Sequence, residues 1–156
     1  MTIGITGHQN IPAKALSFVE GHIVEVFNNN TDIKCVSSLA VGADQLFAQL
    51  GLSCAATLHV VIPSQQYETS FTTQEDLWQY QALLKQSETS EILNFEHPSE
   101  EAFLHAGMRI VDLSDLVVAV WDGEEVKGKG GTADVVKYAQ QKGKKLVIIW
   151  PEGVKR

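Results

Sequence analysis

Positive charge is in short supply. Twelve Lys and Arg stand against nineteen Asp and Glu, a formal net charge of −7. A surface of that sign repels a nucleic-acid backbone, so the composition argues against a general DNA or RNA binder and sets the expectation of no nucleic-acid partner. Cysteine is scarce as well. Cys35 and Cys54 are the only two, nineteen positions apart, a spacing that matches neither a zinc site nor a thiol redox pair. Both fall in apolar patterns, which predicts buried free thiols in a reducing compartment. The five histidines are scattered, with no HExxH and no ligand spacing, so no metal is expected. No apolar run reaches the length of a membrane span, and Met1 to Gly7 enters a strand pattern with no cationic, cleavable leader. The expectation is a cytoplasmic protein with no membrane partner and no cofactor.

What is present is ordinary globular material, unevenly charged. At 156 residues, 44% hydrophobic and 20% charged, the chain fits a single domain, 1–156, large enough to bury a core. Residues 127–156 carry eight Lys or Arg against two acids, a balance of +6, while residues 1–126 carry four against seventeen, a balance of −13. A small anionic ligand near the basic end is compatible with that split. Lys142, Lys144 and Lys145 read more simply as a solvated helix end that complements the helix dipole.

The informative stretch is Asp115 to Trp150. The apolar run Leu116–Trp121 leads into a loop of Gly and Lys, a helical pattern, and a second apolar run, Leu146–Trp150. Unbroken apolar strands imply burial on both faces, and so parallel neighbours in a covered sheet. The loop then lies at the carboxyl end of a strand, where open α/β sheets place ligands. Gly128, Gly130 and Gly131 let backbone amides approach an anion, Thr132 is placed to cap the next helix, and Lys127 and Lys129 add charge. Phosphate or carboxylate is the natural occupant. A plain connecting turn has the same composition.

Taken in order, Thr2–Thr6 reads as a first strand, with Pro12 in the first turn of a helix to about Phe27. GITGHQNIP puts Thr6, Gly7 and His8 at the mouth of that strand, without the GxGxxG of a dinucleotide fingerprint. His8 either contacts a ligand or fills a turn. Ile33–Ser38 is a second strand, and Gly42 allows a sharp turn into a helix from Ala43 to about Leu52. Asp44 complements the dipole of that helix or, less simply, holds ribose hydroxyls. Thr57–Pro63 is a third strand. Ser64–Thr73 is polar, with Tyr67 and Phe71 as exposed aromatics fit to fold over a ligand. A helix from Gln74 to Gln86, a weak edge strand at Glu91–Phe95 and a helix from Ser99 to Asp112 follow. Arg109 either reaches the ligand end as an anion clamp or pairs with Glu100, Glu101 or Asp112.

Four segments together resemble the SLOG superfamily: GITGH at Gly4–His8, SSLAVGAD at Ser37–Asp44, SDLVVAVWDG at Ser114–Gly123 and GKGGTADVVKYA at Gly128–Ala139. Its members include the LOG-type nucleotide phosphoribohydrolases, once called lysine decarboxylase-like, and the DNA-processing protein that loads a recombinase. The resemblance implies a Rossmann-like, three-layer, doubly wound, mostly parallel α/β domain. It also implies a nucleotide site over Thr6, Gly7, His8, Gly42, Asp44, Arg109, Asp122, Gly130, Gly131 and Thr132.

One departure weighs against hydrolase chemistry. The hydrolases' GGxGTxxE loop carries its functional glutamate three residues beyond the threonine, where this chain has Val135. Asp134 is adjacent, but a shift of one residue rotates a side chain by about 100° around the helix. The hydrolases' arginine also does not fall on Arg109 in an ungapped alignment. The favoured expectation is therefore a module binding a nucleotide or other small phosphorylated ligand, sensory or regulatory in role. The alternative is an N-glycosidase acting on nucleotides through Asp134, Asp122, Asp44 or Glu68. Lysine decarboxylation is set aside, since nothing marks a pyridoxal-bearing lysine. Recombination work like that of the DNA-processing protein is disfavoured by the acidic surface. Domains of this kind often bury an apolar helix face in a homodimer, which leaves the assembly open.

Overall fold

A computed structural model describes residues 1–125 and 131–156. Six strands form one sheet: β1 (Thr2–Gly7), β2 (Lys34–Ser37), β3 (Thr57–Ile62), β4 (Thr89–Ile92), β5 (Leu116–Val120) and β6 (Lys145–Ile149). Their order is β4-β3-β2-β1-β5-β6, and every pairing is parallel. The five α-helices among the described residues are α1 (Ala13–Asn28), α2 (Ala43–Ser53), α3 (Gln74–Lys85), α4 (Glu100–Leu113) and α5 (Thr132–Gln141).

The apolar runs explain the layering. Successive strand side chains face opposite ways. Cys35, Val60 and Val118 therefore join the core built with α1 and α2, whereas Val36, Val61 and Val117 meet α4 and α5 on the other side. All of β5 is buried, as burial on both faces requires. This is the Rossmann-like, doubly wound architecture expected from the sequence.

After β1 the chain lays down β2, β3 and β4 outward, then returns through α4 to place β5 on the other flank of β1. The winding direction reverses between β1 and β5, and open sheets hold ligands at the carboxyl ends of strands at such a point. The weak strand does lie at an edge, as β4. Two local expectations are corrected. Cys54 is exposed just past the end of α2, so only Cys35 is buried, where loss of hydration raises its thiol to about 12. Tyr67 and Phe71 are not exposed rings. Tyr67 is 3% exposed and packs against Phe71, Tyr80 and Phe103 with centroids 5.2, 5.3 and 6.2 Å away, because burial of three apolar ring faces outweighs the polarity of the surrounding loop.

Candidate functional site

A cavity of about 590 Å³ opens at the β1/β5 reversal. Its floor is the end of β1 and the following turn, including Thr6, Gly7 and His8; Ser38, Ala40, Val41 and Asp44 form one wall. Phe103, Gly107 and Val135 form the opposite wall, and the start of α5 contributes Gly131 and Thr132. Of the residues expected to bind ligand, Thr6, Gly7, His8, Asp44, Gly131 and Thr132 are thus brought together. Gly42 is adjacent rather than lining. Gly130, with Lys127, Gly128 and Lys129, lies outside the described residues.

The turn before α2 is held tightly. Gly42 has φ +89°, and an added Cβ would lie 2.3 Å from the Gln9 carbonyl oxygen, so the position demands glycine on both counts. The Ala43 amide donates to the His8 carbonyl at 3.1 Å, and the His8 amide donates to that of Val120 at 3.0 Å. The ends of β1, β5 and α2 are therefore stitched together around the cavity floor. Leu39, buried with φ +58°, adds a strained residue to the same turn.

Two polar groups of this wall stand out. Ser38 is 7% exposed, and its Oγ has no hydrogen-bond partner among the described residues. A buried hydroxyl left unpaired costs free energy that a bound acceptor or donor recovers. Asp44 is also buried, and loss of hydration raises its carboxyl to about 7, against partial relief from the Ala40 amide. Its place in the first turn of α2 was expected; its near-neutral titration was not.

At α5 the N-cap is Gly131, with no side-chain cap among the described residues. Thr132 is therefore the first helical residue rather than the cap. Its side chain is 9% exposed and lines the cavity. The positive end of the helix faces the same space as Ser38, the disposition that favours an anion.

His8 is 4% exposed and forms a cluster absent from the sequence reading. Arg156 Nη1 lies 3.0 Å from its Nδ1, and Asp122 Oδ1 lies 3.1 Å from its Nε2. The Asp122 backbone amide also donates to Nε2 at 3.0 Å, so the chain just after β5 grips this nitrogen through both its amide and the Asp122 carboxylate. Burial first, then the charge of Arg156, lowers the pKa of His8, and outweighs the opposing pull of Asp122. Burial pushes the Asp122 carboxyl up, but the Glu124 amide, His8 and Arg156 together hold it below the ordinary value. Asp122 is thus occupied beside the cavity rather than lining it.

The other candidates lie elsewhere. Arg109 does not reach the cavity. Its Nε and Nη2 donate to Glu91 on β4 at 2.7 and 3.3 Å, beside a separate hollow lined by Leu93, Phe95 and His105. The edge strand supplies the carboxylate, a partner outside Glu100, Glu101 and Asp112. Asp134 and Glu68 are exposed and absent from the lining. Val135, in contrast, is 3% exposed and lines the wall. The place of the hydrolases' glutamate faces the site, filled here by an apolar side chain.

The family model for DNA recombination-mediator protein A matches residues 1–156. The chain belongs to that family. Its SLOG-type, Rossmann-like character follows the motifs described above. No curated protein sequence matches it. Among solved structures, DNA processing protein A from Streptococcus pneumoniae superposes with a TM-score of 0.67 at 18% identity, over 94% of this chain and 49% of the other. The protein of that name from Helicobacter pylori, described in a single-stranded DNA binding mode, gives 0.67 at 19% identity, over 95% and 64%. The molybdenum cofactor binding protein from Rippkaea orientalis gives 0.60 at 15%, over 94% and 74%. The chain therefore spans about half to two thirds of the length of the DNA processing proteins it matches.

This membership in the DNA recombination-mediator protein A family overturns the expectation of no nucleic-acid partner, because the similar proteins include one that binds single-stranded DNA. The physical error lay in averaging. Net charge describes the whole surface, whereas a strand responds to a local cluster, and Lys137, Lys142, Lys155 and Arg156 are all exposed on the basic segment. Among the described residues no helix is long and apolar enough to cross a membrane.

Proposed function

We propose that this protein is a binding module for nucleotide phosphate, taken from single-stranded DNA or from a free nucleotide, at the cavity between the ends of β1 and β5. The observation that carries the reading is the pairing, across one cavity of about 590 Å³, of an α5 start with no side-chain cap and a buried Ser38 hydroxyl with no partner among the described residues. That volume lies within the range of small-molecule sites. The family supports DNA as the carrier of the phosphate, and the cytoplasm is the compartment proposed for either carrier.

The hydrolase alternative retains one carboxyl. Asp134 and Asp122 do not line the cavity, whereas Asp44 does and titrates near neutrality, the property a general acid needs. One set of mixtures addresses both readings. Purified protein is titrated with fluorescent oligo(dT) and with nucleoside mono-, di- and triphosphates, and the same mixtures are assayed for free base. Saturable binding without base release is expected. Absence of binding to every probe at millimolar concentration removes the module reading, and base release abolished by Asp44→Asn replaces it with the hydrolase.

A further inference from the structure

The segment after β6 folds back over the cavity mouth. Trp150 Nε1 donates to the Val154 carbonyl at 2.7 Å, and the Trp150 ring meets His8 edge-on at 5.3 Å. This return delivers Arg156 to the site. Among the described residues it is the only lysine or arginine in the cavity lining.

Its present engagement is loose. Arg156 Nη1 contacts His8, a neutral acceptor, and Nε lies 3.7 Å from Asp122 Oδ2, at the outer limit of an ion pair. The Arg109–Glu91 pair shows the contrast, with two contacts of 2.7 and 3.3 Å. The Arg156 side chain keeps 33% of its surface exposed, whereas that of Asp122 keeps 9%. A guanidinium offers five N–H donors in a planar fork suited to two phosphate oxygens at once. Among the described residues most of those donors are unengaged, at the mouth of a cavity already provided with a helix start and the Ser38 hydroxyl.

We propose that Arg156 is the phosphate clamp of this cavity, held in reserve by His8 and Asp122 until an incoming phosphate draws its guanidinium inward. The inference rests on the nucleotide-phosphate reading and adds the residue that supplies its positive charge. Asp122 is a positioning residue that competes with the ligand for the same cation. A carboxylate with one contact at 3.7 Å is outmatched by a phosphate able to accept two donors.

The test uses the full chain with two probes, dTMP and fluorescent oligo(dT), and melting temperatures to monitor folding. Arg156→Gln is expected to weaken binding by about tenfold or more without lowering the melting temperature. Arg156→Lys restores part of the loss, since charge returns without the fork; it also carries the test if the Gln variant is unstable. Asp122→Asn tightens binding a few-fold in the native background and has no effect beside Arg156→Gln. Equal losses for both probes assign the clamp to a monoester phosphate inside the cavity, and a loss confined to the oligonucleotide assigns it to the strand backbone. Wild-type binding matched within twofold by both Arg156 variants overturns the clamp and leaves the module reading intact, as does an Asp122→Asn effect that persists without Arg156. Failure of the wild type to bind either probe removes the module reading itself.

Discussion

Asp44 carries the clearest consequence for solution behaviour. Its folded-state pKa of about 7 lies above the ordinary aspartate value of 3.8, so the native state holds a proton that the unfolded chain has released between those values. The stabilisation this represents is complete below the unfolded value and is lost as pH rises through about 7. An amide keeps the shape and never ionises. Asp44→Asn should therefore gain stability relative to wild type on going from pH 4 to pH 8, with an upper bound on the order of 4 kcal/mol. Denaturant titrations at the two pH values check this, and a difference independent of pH would show the carboxyl to be hydrated. At the same scale, Arg109 stays away from the ligand end, whereas Arg156, which the sequence did not single out, lines the cavity. Arg109 is held by Glu91, 18 residues earlier, through a β3–β4 pairing that no local pattern encodes. Arg156 reaches His8 across 148 positions only because the Trp150–Val154 bond turns the segment back.

The elements were more legible than the residues. Continuous apolar runs fixed β1, β3, β5 and β6 within a residue or two; burial on both faces accounts for β5, whereas β6 lies at the sheet edge with Ile148 exposed. The loop after β3 was misread, since its polar composition concealed the aromatic cluster around Tyr67. The Val135 departure, by contrast, was visible in sequence and has a packing reason. A Cβ at Gly107 on α4 would lie 2.5 Å from Val135 Cγ2, so the two helices approach as closely as a glycine against a branched side chain permits. Gly107→Ala should therefore cost about 1–3 kcal/mol despite the better helix propensity of alanine. Adding Val135→Ala should recover part of that loss. Additive effects in the double-mutant cycle would show that α4 and α5 are not in contact there.

Across the whole molecule, charge and topology act together. The sheet places the carboxyl ends of β1 and β5 side by side, and the basic segment 127–156 returns to that end through α5 and Arg156. A net charge of −7 therefore coexists with an arginine, Arg156, placed at the cavity mouth. The fold class was readable because strand periodicity is local, whereas the site's charge balance depended on contacts between the first and last segments.

The central position of β1 has an effect on motion. Ile3 and Ile5 are 0% and 1% exposed, on a strand flanked by β2 and β5. Alternate amides of β1 point to opposite flanks, and each flank is itself an interior strand paired on both sides, so freeing these amides requires opening the middle of the sheet rather than its edge. In deuterated buffer the amides of Ile3 and Ile5 should be among the last to exchange, and those of the outermost strands among the first. Because the cavity floor continues directly from β1, the base of the binding site should stay rigid on the timescale on which the rim of the sheet breathes.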